Sequence, residues 1–190
     1  MQQPTKREQI LDAARRCFYE RGITATGVDA IAAAAGVSKR TLYNHFASKD
    51  DLVHAYVERR DRWWRSSLAG RLEGVTDPVD RILAYFDAYF DLPEGEDFRG
   101  CALINAAAEL PEPESRTLSA VRANKERVRK EVGALVHDAG IDDAETVADG
   151  LVLLLEGSVA LSGVFRERRG VETAKQAARK LLGVGEGRGA

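Results

Sequence analysis

The chain has 190 residues, 44% of them apolar and 31% charged, with a net charge of −2 and only five prolines. That balance excludes a disordered or collagen-like polymer and leaves room for one large domain, or a small domain with a larger one attached. The average charge hides an asymmetry: residues 1–50 carry eight basic against five acidic residues, while the rest holds 20 basic and 25 acidic, so attraction to a polyanion belongs to the N-terminal part.

Apolar residues recur at helical spacing along nearly the whole sequence, with no alternating β-branched run, so an all-α fold of about nine helices is predicted. The first helix follows Thr5, whose hydroxyl can cap it with Glu8 as capping-box partner, and ends at Gly22. After GITAT, a second helix covers about 28–35, GVS makes a turn, and a third helix runs over about 39–46. A fourth begins after Ser48 and continues to about residue 72, roughly 35 Å at about 1.5 Å per residue, long enough to join two lobes. The fifth (78–91) is opened by Asp77-Pro78. The sixth (about 101–110) is closed by Pro111, the seventh (114–139) by Gly140, and the eighth (142–168) and ninth (171–183) follow. The tail at 184–190 is glycine-rich and is expected to be disordered.

Glu156 interrupts the most apolar stretch, LVLLL at 151–155, and MQQPTKREQ lacks an apolar signal core, so neither a membrane span nor an export signal is expected. Cys17 and Cys101 show no metal-ligand spacing and no disulfide framework. Reduced thiols in a cytoplasmic protein without metal or cofactor are therefore expected.

Residues 32–46, AAAAGVSKRTLYNHF, have the outline of a helix-turn-helix. Ala32 and Ala35 let two helices cross closely, Gly36 can take the positive φ that ends a helix, Val37 can plug the gap, and Ser38 can cap the next helix. On a 100° wheel Leu42 and Phe46 share one side of the third helix, while Arg40 and Asn44 lie opposite, flanked by Lys39, Thr41 and Tyr43. These side-chain types suit base edges and phosphates in a major groove. A solvated helical face with a few charges is the plainer alternative.

The stretch GITATGVDAIAAAAGVSKRTLYNHFASKDDL resembles the N-terminal DNA-binding domain of TetR-family transcriptional regulators, over about residues 6–54. The resemblance implies a helix-turn-helix domain at 1–48, a helical effector-binding and dimerisation domain at 49–183, and a double-stranded DNA operator as partner. It implies that Lys39, Arg40, Thr41 and Tyr43 lie at or near base edges, while Thr26, Ser38, Asn44, His45 and Lys49 meet the sugar-phosphate backbone. His45 can instead be a packed imidazole, since it lies nearer the Leu42/Phe46 side. Gly27 stands where the family often has serine or threonine, so a side-chain cap is lost there while the backbone N–H groups stay available to phosphate.

One short recognition helix reads few base pairs, so a symmetric homodimer on inverted half-sites, about 34–36 Å apart, is expected. The eighth helix is apolar on two sides: Gly150, Leu154, Gly157, Leu161 and Phe165 line one, Ala148, Val152, Leu155 and Val159 the other. One side can meet its own lobe and the other a second subunit. The expected interface comprises Val152, Leu155, Val159 and Gly163 with Ala174, Ala178 and Leu181 of the ninth helix. The resemblance further implies a small-molecule effector pocket among the fourth to eighth helices. Tyr85, Phe86, Tyr89 and Phe90 are candidate apolar lining, and Cys101, Asn105, Glu109 and Glu156 are candidate polar groups. The aromatic cluster can equally be core, and the two carboxylates can equally pair with Arg99 or Arg166.

Cys101 sits near a helix N-terminus that favours thiolate, yet a small buried hydrophobe is the plainer reading. An enzyme using Cys101 with His54 or His137 lacks any nucleophile motif, phosphate loop or metal spacing. The predicted function is thus a ligand-responsive repressor that binds a palindromic operator as a dimer. An activator of the same fold is the alternative, and the acidic C-terminal part argues against indiscriminate coating of DNA.

Overall fold

The computed structural model describes residues 4–90 and 98–184. Residue 91 of the fifth predicted helix, the side chain of Phe90 and residues 185–190 of the predicted tail lie outside the described residues. Among the described residues there are nine helices and no strand: α1 (Lys6–Arg21), α2 (Val28–Ala34), α3 (Lys39–His45), α4 (Lys49–Leu72), α5 (Pro78–Phe90), α6 (Ala102–Glu109), α7 (Arg116–Asp138), α8 (Ala144–Phe165) and α9 (Arg169–Leu181). They form two compact units, residues 1–62 with 102–122, and residues 63–101 with 123–190.

In the first unit, local chemistry sets the helix ends. Thr5 and Glu8 form a reciprocal capping box on α1, which satisfies two of the free N–H groups at that end. Gly22, at φ 93°, closes α1 by donating its N–H to the Phe18 carbonyl. The end of α2 is a Schellman turn: Gly36 donates to the Ala33 carbonyl at 3.1 Å and Val37 to the Ala32 carbonyl at 3.0 Å, with Gly36 at φ 64°, a conformation glycine adopts without steric cost. Ser38 then caps α3, its hydroxyl accepting from the Thr41 N–H at 3.0 Å.

The apolar stripes of these short helices meet in one core. Ile10, Leu11, Ala14, Cys17 and Phe18 of α1, Ile31 and Ala32 of α2, Leu42 of α3, and Leu52, Val53 and Tyr56 of α4 are all buried. The Phe18 and Tyr56 rings stack in a tilted pair with centroids 5.6 Å apart. Each fully buried aliphatic side chain contributes about 1.5–3 kcal/mol, which three short helices need because none is stable alone.

The second unit is built on the α8–α9 pair, with α5 packed against both. By length and composition α8 is able to cross a membrane, but Leu151, Leu155 and Val159 form a buried stripe and Glu156 is ion-paired within the unit. The helix ends at Phe165, short of the predicted 168, where Arg166 takes a left-handed φ of 57°.

Gly163 lies against backbone of the same chain: a Cβ there would come within 2.5 Å of the Gly100 nitrogen and 2.6 Å of the Arg99 carbonyl carbon. This corrects its expected place in a dimer interface, since the close approach it permits is already used. Gly163→Ala should therefore destabilise the protein by about 1–3 kcal/mol, as overpacking does. A thermal melt unchanged from wild type would contradict this contact.

Candidate nucleic-acid interface and interior polar cluster

With Leu42 and Phe46 buried, the opposite side of α3 is left to solvent. Lys39, Arg40, Tyr43, Asn44 and His45 are exposed and Thr41 is half-buried, the face that the wheel assigns to donors. His45 is not packed into the core. Lys39 is exposed but held, its Nζ lying 3.0 Å from an Asp29 carboxylate oxygen on α2. Lys49 sits half-buried in the first turn of α4. The Arg7 guanidinium lies 4.8 Å from the centroid of the Phe46 ring, on the inner side of α3.

Thr26 requires a correction. Its side chain is only 2% exposed, and its hydroxyl donates to the Gly22 carbonyl at 2.6 Å, with the Cys17 carbonyl at 3.1 Å. That hydroxyl anchors the α1–α2 loop and is withdrawn from solvent. Gly27 caps α2 without a side-chain hydrogen bond, so the N–H groups of the first turn of α2 face no competing side-chain acceptor from the cap.

The segment 102–122 also belongs to this unit, which the sequence reading missed. Glu109, at the end of α6, accepts a hydrogen bond from the Thr24 N–H at 2.8 Å. Arg116, in the first turn of α7, is paired with Asp51 in the first turn of α4, and the Thr117 hydroxyl lies 3.5 Å from His54 Nδ1. The Ser48 hydroxyl, joined by Arg116, holds the Asp51 carboxyl below its ordinary value.

The expected pocket residues are divided between the two units. Asn105 and Glu109 fall in the first unit, and Glu109 is turned to the α1–α2 loop. In the second unit Tyr89, Cys101 and Glu156 meet around a residue the sequence reading did not single out, Lys125. Its Nζ is 2.7 Å from Glu156 Oε1 and 3.5 Å from Cys101 Sγ, and the Tyr89 hydroxyl donates to the same Glu156 oxygen at 3.3 Å. The partner of Glu156 is thus this lysine, not Arg99 or Arg166. The signal was present: Lys125 interrupts a stripe of Val121, Val128, Val132 and Val136, all buried.

Burial pushes the Tyr89 phenol well above its ordinary value, with Cys101 and Glu156 adding to the shift. Desolvation pulls the Lys125 ammonium down, but Cys101 and Glu156 together outweigh it and the net shift is upward. The second oxygen of Glu156 is buried with no hydrogen-bond partner, an acceptor open to a donor in an apolar setting. Tyr85 instead donates to Glu131 at 2.8 Å, and Phe86 is fully buried core.

The expected dimer residues are corrected by burial. Leu155, Val159, Ala174 and Ala178 are at most 5% exposed within the single chain, so a second subunit has nothing to cover there. Val152 is half-buried and Leu181 is exposed. The other side of α8 is the uncovered one: Leu153, Leu161, Val164 and Phe165 are 53–74% exposed. With Leu154, Gly157 and the α9 residues Thr173 and Ala177, the side chains of Leu153, Leu161 and Phe165 border a groove of ≈ 420 Å³ between α8 and α9.

A helix-turn-helix with its donors in solvent, followed by a larger helical unit, defines the class of helical DNA-binding regulators. Residues 10–56 match the family described as bacterial regulatory proteins, tetR family. The transcriptional activator FasR of Mycolicibacterium smegmatis is 36% identical over 152 residues, covering 78% of this chain and 68% of FasR. The transcriptional repressor KstR2 of Mycobacterium tuberculosis is 32% identical over 90 residues, covering 47% of this chain and 45% of KstR2. The crystal structure of SCO4454, a TetR-family transcriptional regulator from Streptomyces coelicolor, superposes with a TM-score of 0.87 at 32% identity, covering 93% of this chain and 94% of that one. The chain belongs to the TetR family of transcriptional regulators, and it is a regulator, not an enzyme.

Proposed function

We propose that the protein is a ligand-responsive repressor in the cytoplasm that binds a palindromic operator as a homodimer and is released by a small-molecule effector. The observation that carries the DNA-binding part is the exposed face of α3, where Lys39, Arg40, Tyr43 and Asn44 stand in solvent above a buried Leu42. Base edges are the role proposed for Lys39, Arg40, Thr41 and Tyr43, and phosphates for Ser38, Asn44, His45 and Lys49. The exposed apolar side of α8 with the adjoining α9 is the surface proposed for the second subunit. The effector is proposed to bind in the second unit at Tyr89, Cys101, Lys125 and Glu156, where the unpartnered Glu156 oxygen would accept a hydroxyl or amine proton.

A gel shift on the duplex upstream of the protein's own gene tests the reading; no specific, salt-sensitive binding up to micromolar protein would overturn it. Arg40→Ala should weaken the specific complex by about 1–3 kcal/mol and relax sequence preference. Lys49→Ala should weaken binding to all sequences and lower the salt slope by about 1. Equal effects of the two on sequence preference would contradict this division of roles. The name of FasR favours a second reading, an activator. A reporter of the neighbouring transcript in a deletion strain separates them, because loss of a repressor raises that transcript and loss of an activator lowers it.

A further inference from the structure

The end of α6 is joined to the helix-turn-helix by a contact that the DNA-binding face itself does not explain. The Glu109 carboxylate accepts from the Thr24 N–H at 2.8 Å and lies directly over Gly22, where a Cβ would come to 3.0 Å from both carboxylate oxygens. Gly22 also has a φ of 93°, a backbone angle that favours glycine, and a Cβ there would press the carboxylate away from the loop. The loop gripped in this way is the one that sets how α2 leaves α1.

Within the loop, Ile23 is buried and its carbonyl accepts from the Thr26 N–H at 3.3 Å. The Thr26 hydroxyl ties the loop to the Cys17 and Gly22 carbonyls from within, and α2 starts at Gly27 without a side-chain cap. Helix α2 is only seven residues long. It carries α3 through the rigid Schellman turn at Gly36 and the buried contact among Ile31, Ala32 and Leu42. A change in the α1–α2 loop therefore tilts α2 and α3 together.

We propose that Glu109 is a positioning residue for operator recognition: its carboxylate, seated on Gly22 and the Thr24 amide, fixes the α1–α2 loop and so the angle at which α3 meets DNA. This rests on the DNA-binding reading above. Because α6 belongs to the same unit as the loop, moving its terminus would move the acceptor on which the loop hangs.

The test uses the full chain with Glu109→Ala, Glu109→Gln and Glu109→Asp, two duplexes (the own upstream region and a scrambled one) and hydrogen exchange over residues 22–27. Glu109→Ala should speed exchange in that segment and lower the ratio of specific to scrambled binding about tenfold, with the salt slope unchanged because no phosphate contact is lost. Glu109→Gln keeps an acceptor oxygen at the same reach and should stay within about threefold of wild type. Glu109→Asp keeps the charge but withdraws the oxygen by one methylene, and should behave like Glu109→Ala. It also keeps the test decisive if the alanine variant does not fold.

Wild-type specificity in both Glu109→Ala and Glu109→Asp would overturn the proposal, as would Glu109→Gln failing as badly as they do. If wild type itself binds neither duplex, the operator reading falls instead. Exchange over 22–27 then still tests the contact, and unaltered exchange in Glu109→Ala and Glu109→Asp would overturn it.

Discussion

The double variant Leu153→Glu/Phe165→Glu should fold like wild type, run as a monomer, and lose specific operator binding by at least about 100-fold. Its expected stability follows from exposure: Leu153 is 74% and Phe165 66% exposed in the single chain, so a carboxylate at either place meets water and gives up little packing. Its expected effect on assembly follows from the same fact. If this face of α8 is covered by a copy of itself, four carboxylates are brought together and dehydrated, at a cost of several kcal/mol. The effect on DNA follows from symmetry, because a two-fold operator needs two linked recognition helices and a monomer presents one. Sedimentation and a gel shift on the same samples check the prediction. A variant that remains dimeric, or a monomer with full affinity, would contradict the assignment of this surface.

Lys125→Ala should destabilise the protein by about 2–3 kcal/mol. The penalty for leaving one partner of a fully buried pair behind is about 3–5 kcal/mol, and the Lys125 and Glu156 side chains keep 25% and 15% of their exposure, which moderates it. In thermal denaturation the loss should appear as a fall of about 5–10 °C for a chain of this size. Removing both charges, in Lys125→Met/Glu156→Leu, should recover most of it, because an apolar pair of similar volume carries no desolvation penalty. A double variant as unstable as the single would contradict the pair as the cause. The pH dependence has a definite sign. The Lys125 ammonium is held above its ordinary value, so its contribution is complete through the neutral range and is lost only as strongly alkaline pH removes the proton.

What was legible beforehand was local. The cap at Thr5 with Glu8, the stop at Gly22, the turn at Gly36 and the cap at Ser38 each depend on groups within five residues of one another, and the structure has all four. The donors of α3 were legible for the same reason, since Leu42 and Phe46 define the inner side of a seven-residue helix and leave Arg40 and Asn44 outside. Thr26 misled because the same hydroxyl serves a phosphate or a backbone carbonyl equally well, and nothing in its neighbours announces that the Gly22 carbonyl lies 2.6 Å away. Lys125 was passed over because a single cation in a valine stripe acquires meaning only when a carboxylate from another helix stands opposite.

The sequence by itself determined the helices, their ends, and the residue types presented by α3, because hydrogen bonds and steric limits of a few residues' range decide those features. Only the tertiary structure decided which of two equally apolar sides of α8 is consumed by its own unit: a side chain does not record whether the surface that will cover it comes from Ala174 and Ala178 or from outside the chain. Likewise only the fold brings Glu109 to Thr24 across 85 positions, because such a contact depends on the paths of all the helices between them.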